Sequence, residues 1–350
     1  MKTKINFSKI FSLLLLFLIF TIIFLRCRKE SCEYLPTIDP PANAGCTMVN
    51  SLNLSTGIDK NGNVIAAALG AVDPFWHVIN NPPLTSHTSP LTVTGSAYVM
   101  NFMNLPDTSW ANQPNVGTIA PVDLGPNGNF GDNNALNSNG EAVPYIFERS
   151  FCVLSDTKVD FNFTAKADDG AIFTLVNNNT NTIISTSSMA TLGHAITWSA
   201  ASMSLSAGSY SIRCQLINTG SVILGFSFKG NLTTTNGDLA ISNNVDGCCE
   251  NNTISILNIE ESNCNGIFDS ADVVGQNWTF NIKNSSGTII KTGTTDVNGN
   301  IFFTGLANGT YTIEIVPKSG WTSNNPTGGS QTVTLSNNNV SIINFYNCKK

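Results

Sequence analysis

Charge is what this chain of 350 residues most lacks. Seventeen Lys and Arg with twenty-three Asp and Glu make up 11% of it and leave a net charge of −6, where an ordinary soluble domain is about 25% charged. A surface built to hold phosphates needs clustered cations, so a nucleic-acid partner is excluded. Histidine is also scarce. Only His77, His87 and His194 could serve as a base near neutral pH, and none stands in an H-E-x-x-H helix or beside a G-x-S-x-G elbow. No C-x-x-C pair occurs among the nine cysteines, which argues against a zinc ribbon. No window of helical length carries a capped apolar stripe at spacing 3.6.

What is present is apolar matter and neutral polarity. The chain is 41% hydrophobic with twenty Phe, enough for packed cores, so the low charge is not the signature of a disordered chain. Polarity comes from Asn, Ser, Thr and Gly, residues of turns and pleated surfaces. Val159, Phe161 and Phe163 alternate with Asp160, Asn162 and Thr164, the period of a half-buried strand. Shorter runs at Ala171–Val176, Thr182–Ser185, Tyr210–Leu216 and Val222–Phe228 continue the pattern. After a lapse around the vicinal Cys248-Cys249, seven more follow: Ile254–Ile259, Trp278–Ile282, Thr288–Lys291, Ile301–Phe303, Tyr311–Val316, Gln331–Leu335 and Val340–Phe345. The reading is all-β, with two β-sandwich domains over residues 51–247 and 252–348. Asn298-Gly299 signals a hairpin with a type I′ turn.

The one long apolar run, Ile10 to Leu25, follows Lys2 and Lys4 and precedes Arg26, Arg28 and Lys29. At about 16 residues it is short for a spanning helix and suits the apolar core of an export signal. Residues 1–27 are therefore read as a signal peptide or membrane anchor, and residues 28–50, with three prolines and no periodicity, as a linker. The Cys27 that closes the run resembles the lipobox cysteine of bacterial lipoproteins, and the charged residues after it resemble the tether of Bacteroidota surface lipoproteins. Arg26 departs from the small residue of that pattern. The resemblance implies acylation of Cys27 and a chain exported to the outer membrane or cell surface, or secreted. If Cys27 carries lipid, eight cysteines remain, an even number that in an exported chain reads as a disulfide framework. Sequence context suggests Cys152 with Cys214, Cys264 with Cys348, and Cys32 and Cys46 with Cys248 and Cys249.

In the C-terminal part, Glu261-Ser-Asn263-Cys-Asn265-Gly266-Ile-Phe-Asp269-Ser-Ala-Asp272, Thr295-Asp296-Val-Asn298-Gly299-Asn300 and Gly309-Thr310-Tyr311-Thr312 fall in a family order. They resemble the B-type repeat of serine-aspartate surface adhesins, a prealbumin-like sandwich related to collagen-adhesin B domains. The resemblance implies a stalk or spacer that often binds calcium. The residues themselves support the ion: Glu261, Asn263, Asn265, Asp269 and Asp272 stand at positions 1, 3, 5, 9 and 12 of a loop with Gly266 at position 6. The alternative is an Asx-rich turn bonding its own backbone. Isopeptide crosslinks occur in relatives of this fold, but Lys283, Lys291 and Glu314 form no recognisable pattern for one.

Ser55-Thr-Gly57-Ile-Asp59 to Asp73-Pro-Phe-Trp76, a loop rich in Asn and Pro, and Phe147-Glu-Arg-Ser-Phe151 resemble a domain of exported bacterial proteins, a galactose-binding-like or jelly-roll sandwich. Within it, Ala167-Asp168-Asp169-Gly170 resembles the Asp-Asp-Gly step of PA14-type sugar-binding domains, which implies a calcium ion on Asp168 and Asp169 that orients sugar hydroxyls. The competing reading is a hairpin turn at Asp169-Gly170. Trp76, Trp110, Trp198 and Tyr145 could form a sugar platform or could be core. The sequence thus points to a non-enzymatic surface protein whose partner is a surface glycan or an extracellular protein. A purely structural envelope or matrix component is the alternative. A glycosidase drawing two carboxylates from Glu141, Glu148, Asp168 and Asp169 is a weaker third.

Overall fold

The period of two in the sequence becomes strand throughout a computed structural model that describes residues 49–82, 93–100, 112–123, 135–191, 194–218, 224–235, 237–241, 252–336 and 340–350. The expected signal with Cys27, the linker up to residue 48 with Cys32 and Cys46, the Cys248-Cys249 pair, His87 and Trp110 lie outside the described residues. Among the described residues there are strands and no α-helix, so the all-β class holds.

Thirteen strands form the first sheet: β1 (Ser51–Asn53), β2 (Val72–Val78), β3 (Ser96–Met100), β4 (Thr118–Ala120), β5 (Tyr145–Val153), β6 (Thr157–Asp168), β7 (Gly170–Asn177), β8 (Thr182–Thr186), β9 (Ala190–Thr191), β10 (Ile196–Leu205), β11 (Gly208–Ile217), β12 (Gly225–Thr234) and β13 (Leu239–Ile241). The main order is β10-β6-β12-β4-β3-β2-β5-β11-β7-β8. Strands far apart in that order touch through their side chains. Phe226 of β12 packs edge-on against Trp76 of β2 at 5.5 Å, Phe147 of β5 at 4.9 Å and Phe173 of β7 at 5.5 Å. Phe228, two residues on, meets Trp76, Phe163 and Phe173. The sheet is therefore folded over on itself around an aromatic core, and β6 supplies Val159, Phe161, Phe163, Ala165 and Ala167 to it on alternate residues.

Two buried charges fasten the entry of the chain to this body. The Asp73 carboxylate accepts hydrogen bonds from the backbone N–H of Gly57 (2.6 Å), Phe75 (2.8 Å) and Trp76 (3.0 Å). Arg149 donates to the carbonyls of Asn53 (2.6 Å) and Ser55 (3.0 Å) and lies 4.4 Å over the Phe75 ring. Burial lowers the Arg149 value to about 10, against the opposing pull of Asp73.

The C-terminal residues form two facing sheets. One has the order β15-β14-β22-β20 with β18 also on β14, and the other β17-β16-β19-β21; the strands are β14 (Asn252–Glu261), β15 (Val273–Val274), β16 (Thr279–Lys283), β17 (Ile289–Thr294), β18 (Asn300–Leu306), β19 (Gly309–Ile315), β20 (Trp321–Asn325), β21 (Ser330–Leu335) and β22 (Val340–Lys349). First and last strands, β14 and β22, are parallel neighbours from Thr253↔Val340 to Glu261↔Cys348. Ile254, Ile256, Phe280, Ile282, Ile313 and Phe345 fill the space between the sheets. Two strands exceed the seven read from sequence: β15 is only two residues long, and β20, Trp-Thr-Ser-Asn-Asn, has no alternation to announce it.

Among the described residues one five-residue turn occurs four times. Asp59, Asn137, Asn284 and Asp296 each accept, through the side-chain oxygen, the N–H groups two and four residues ahead. In each the fourth residue is a glycine with φ between 75° and 82°, namely Gly62, Gly140, Gly287 and Gly299. Asn298 does not share the positive φ of Gly299, which corrects the type I′ expectation. The turn is a three-residue loop with one left-handed glycine, closed by an Asx side chain. Two of these turns meet where the sandwiches touch: Asn137 Nδ2 donates to Asn298 Oδ1 at 2.8 Å. Thr304 Oγ1 donates to the Asn178 carbonyl at 3.1 Å, and Val143 packs with Leu257, Ile259 and Val274. All described residues belong to one compact unit, Gly45–Lys350.

Truncating Phe226 to Ala should cost about 3–5 kcal/mol, the usual range for a fully buried aromatic, read from the urea midpoint. A loss below about 1 kcal/mol would show that Phe226 does not bridge the folded sheet.

Candidate functional site

The acidic pair sits at the point where the chain leaves one side of the folded sheet for the other. β6 ends at Asp168 and pairs with β10 and β12; β7 begins at Gly170 and pairs with β11, β8 and β9. β6 and β7 are not ladder partners, and neither Asp169 nor Gly170 has a positive φ. The hairpin reading is therefore overturned: Asp168-Asp169-Gly170 is an arch between layers, and its first peptide bond is cis. Pairing of Gly225 with Asp168, and the Asp169 N–H bonding the Ile217 carbonyl at 3.3 Å, fix both ends. The Asp169 carboxyl lies within hydrogen-bonding reach of the Asp168 carboxyl. Burial, then the hydrogen bond and the charge of Asp169, push the Asp168 value up to about 7. Such a pair needs a shared proton or a cation between its oxygens, and the all-oxygen donor set suits a hard ion.

The aromatic candidates go elsewhere. Trp76, Trp198 and Tyr145 are all in the core, leaving none of these three as a sugar platform. Of the carboxylates weighed for hydrolysis, Glu148 is buried and spent on Arg213 at 2.7 Å. Glu141 belongs to one of the Asx turns, accepting from Asn137 Nδ2 at 3.1 Å. His77, in register with Glu148, is pushed below its ordinary value chiefly by burial.

The loop after β14 gathers its predicted residues unevenly. Asp269 Oδ2 accepts from the side-chain amides of Asn263 and Asn265, the latter at 3.2 Å, so these three meet. Asp272 turns one oxygen to the Ser262 N–H (2.7 Å) and hydroxyl (3.0 Å) and the other to the Asp269 N–H (3.0 Å). Glu261, buried, accepts from the Gly266 N–H and from Asn324 Nδ2. Among the described residues no group of three His, Cys, Asp or Glu is placed to hold a metal, and the loop as it stands is closed by its own hydrogen bonds. Its side-chain donors are nonetheless all hard oxygens, the chemistry calcium selects.

Cys264, in this loop, is bonded to Cys348 at the end of β22. The other local pairing fails. Cys214 is a free buried thiol, its value raised by burial, while Cys152 is disulfide-bonded. The strands carrying them are neighbours, but Cys152 stands opposite Ser209 and Cys214 opposite Phe147. That offset of five residues separates them by about 17 Å at 3.4 Å per residue, far beyond disulfide reach. Lys283 forms a partly exposed ion pair with Glu314 at 2.6 Å, and Lys291 caps the Thr304 carbonyl at 2.6 Å. The buried Asp73 and Arg149 and the Glu148–Arg213 ion pair gave no sequence signal, since each residue is one of many isolated charges.

Residues 257–345 match the SdrD B-like domain family. A stretch of 78 residues, 22% of this chain, is 38% identical to serine-aspartate repeat-containing protein D of Staphylococcus aureus (strain Newman), of which it covers 6%. A stretch of 71 residues, 20% of the chain, is 42% identical to serine-aspartate repeat-containing protein F of Staphylococcus epidermidis (strain ATCC 12228 / FDA PCI 1200), covering 4%. The chain thus spans only about one-twentieth of the length of these relatives. Among solved structures, BcpA, the major pilin subunit of Bacillus cereus, aligns over 61% of this chain and 69% of its own at 15% identity and a TM-score of 0.23. The minor pilin GBS52 of Streptococcus agalactiae aligns over 72% and 95% at 10% identity and a TM-score of 0.24.

The Asp168 shift has a sign that can be tested. A carboxyl raised from 3.8 to about 7 on folding stabilises the fold fully below pH 3.8, and that contribution is lost as the pH rises through 7. In chelator, the melting temperature should fall between pH 5 and pH 8, and Asp168→Asn should flatten the fall. Parallel profiles for wild type and variant would refute the shared-proton pair.

Proposed function

We propose that this is an exported, lipid-anchored surface protein without enzymatic activity. In this reading its N-terminal sandwich binds glycan through a calcium ion on Asp168 and Asp169, and its C-terminal module is a calcium-stabilised spacer. The observation that carries the proposal is the arch, which brings two carboxyl groups within hydrogen-bonding reach of each other where the chain crosses from β6 to β7. A divalent cation relieves their repulsion and keeps coordination positions for hydroxyls of a bound sugar. Support for the spacer comes from the matched family over residues 257–345 and from the oxygen-rich loop of Glu261, Asn263, Asn265, Asp269 and Asp272. Anchoring rests on Cys27 and its sequence context. A purely structural role is the second reading, favoured by the burial of Trp76, Trp198 and Tyr145.

A glycan array probed with the soluble Cys32–Lys350 protein, in calcium and again in chelator, separates the two. Calcium-dependent binding that Asp168→Asn abolishes supports the lectin-like reading; silence from folded protein supports the structural one. For the loop, calcium should raise the melting temperature, with a part of the rise that Asp269→Ala removes and Asp168→Asn leaves. An identical rise in wild type and Asp269→Ala would eliminate the loop as a site.

A further inference from the structure

The outward face of β5, β11 and β7 is roofed by the second sandwich, and the roof is incomplete. Three clefts follow one another along the seam. The first, about 200 Å³, begins at Gly170, directly after the acidic pair, and has Glu141, Ile172, Met189 and Ile217 on its walls. Gln215 of β11 and Asn298 of the second sandwich belong both to it and to the next cleft, of about 210 Å³, which also takes in Thr174 and Arg213. Asn181, Thr294, Ile301 and Phe302 are shared in turn with a third cleft of about 370 Å³, between the Asn178–Asn181 turn and strands β17 and β18. Shared lining residues place the three side by side along one seam, and their summed volume falls within the size range of ligand sites.

Its chemistry is neutral. The walls are mostly amides, hydroxyls and apolar patches that include Phe302 and Phe303, and the four charged side chains among them, two of each sign, are each hydrogen-bonded. Arg213 is paired with Glu148 at 2.7 Å, and Lys291 donates to the Thr304 carbonyl at 2.6 Å. Glu141 accepts from Asn137, and Asp296 from the Asn298 and Asn300 N–H groups. Carboxamides and hydroxyls both donate and accept, which matches vicinal sugar hydroxyls, while the aliphatic patches suit the apolar face of a pyranose ring. An extended peptide would pair with a free strand edge; β17 and β18 are edge strands beside the third cleft, whereas the floor of the first two is the side-chain face of β7 and β11, each hydrogen-bonded on both sides.

We propose that this seam binds an extended, uncharged oligosaccharide, with Asn298, Thr294 and Phe302 of the C-terminal module forming one wall. The module is then part of the binding site. The inference rests on the glycan reading of the acidic pair and extends it to chain length, charge and the second wall.

The test uses the soluble Cys32–Lys350 protein on an array of neutral hexasaccharides, their mono- and disaccharide counterparts, sialylated or sulfated glycans and extended decapeptides. Wild type should prefer neutral hexasaccharides over monosaccharides at least tenfold. Gln215→Trp and Thr294→Trp, both at exposed positions on opposite walls, should each weaken hexasaccharide binding at least fivefold with melting temperature unchanged and monosaccharide binding retained. Chelator-sensitive binding to which both Trp variants are indifferent overturns the seam while leaving the acidic pair standing. Seam-dependent binding that ignores chelator supports the seam and sinks the cation. Preference for decapeptides or for charged glycans, or no binding by folded protein, overturns the seam.

Discussion

The packing of Phe226 and Phe228 against the aromatic rings of other strands is the contact on which the first sandwich depends. Both lie on β12 yet touch β2, and between them β5, β6 and β7, so they set the distance between the two layers of a sheet that is continuous through its hydrogen bonds. Once that spacing is set, β6 and β7 stand in opposite layers and the chain between them must cross. Gly225, the residue before Phe226, is the ladder partner of Asp168. The position of the acidic arch is thus a consequence of aromatic packing one residue away.

With so few charges, the fold leans on neutral devices for its precision. The Asx-closed turn serves four times, each time presenting its side-chain oxygen to two N–H groups that would otherwise face water or go unpaired. Two of those turns then recognise each other across the junction through Asn137 and Asn298. The charges that exist are placed where they do several things at once. Arg149 holds two carbonyls and covers a ring, and Arg213 binds Glu148 and lies 5.3 Å over Phe302 of the other sandwich.

The alternation of β6 and of the C-terminal strands was legible because their residues obey the period of two. So was the Cys264–Cys348 link, whose cysteines flank the ends of β14 and β22. The Cys152–Cys214 assignment failed because strand adjacency is visible in a sequence while register is not, and five residues of offset decide the matter. Asp168-Asp169-Gly170 was ambiguous for a related reason: a turn between paired strands and an arch between layers use the same residues, and only the partners of β6 and β7 distinguish them. The seam groove had no local signature at all. Gln215, Thr294 and Asn298 are ordinary polar residues of strands and turns, brought together by the packing of distant segments.

The parallel pairing of β14 and β22 gives the C-terminal module a particular response to load. A pull on its two ends acts along the strands, so the ladder from Thr253 to Glu261 is sheared as a block and not opened bond by bond. The Cys264–Cys348 bridge, spanning 84 residues of sequence, carries tension directly from just after β14 to the end of β22. Everything between those cysteines lies off the force path. Stretched by its termini, the module can lose the short stretch ahead of Cys264 but cannot pay out the chain that forms its core, so it would transmit force almost without lengthening.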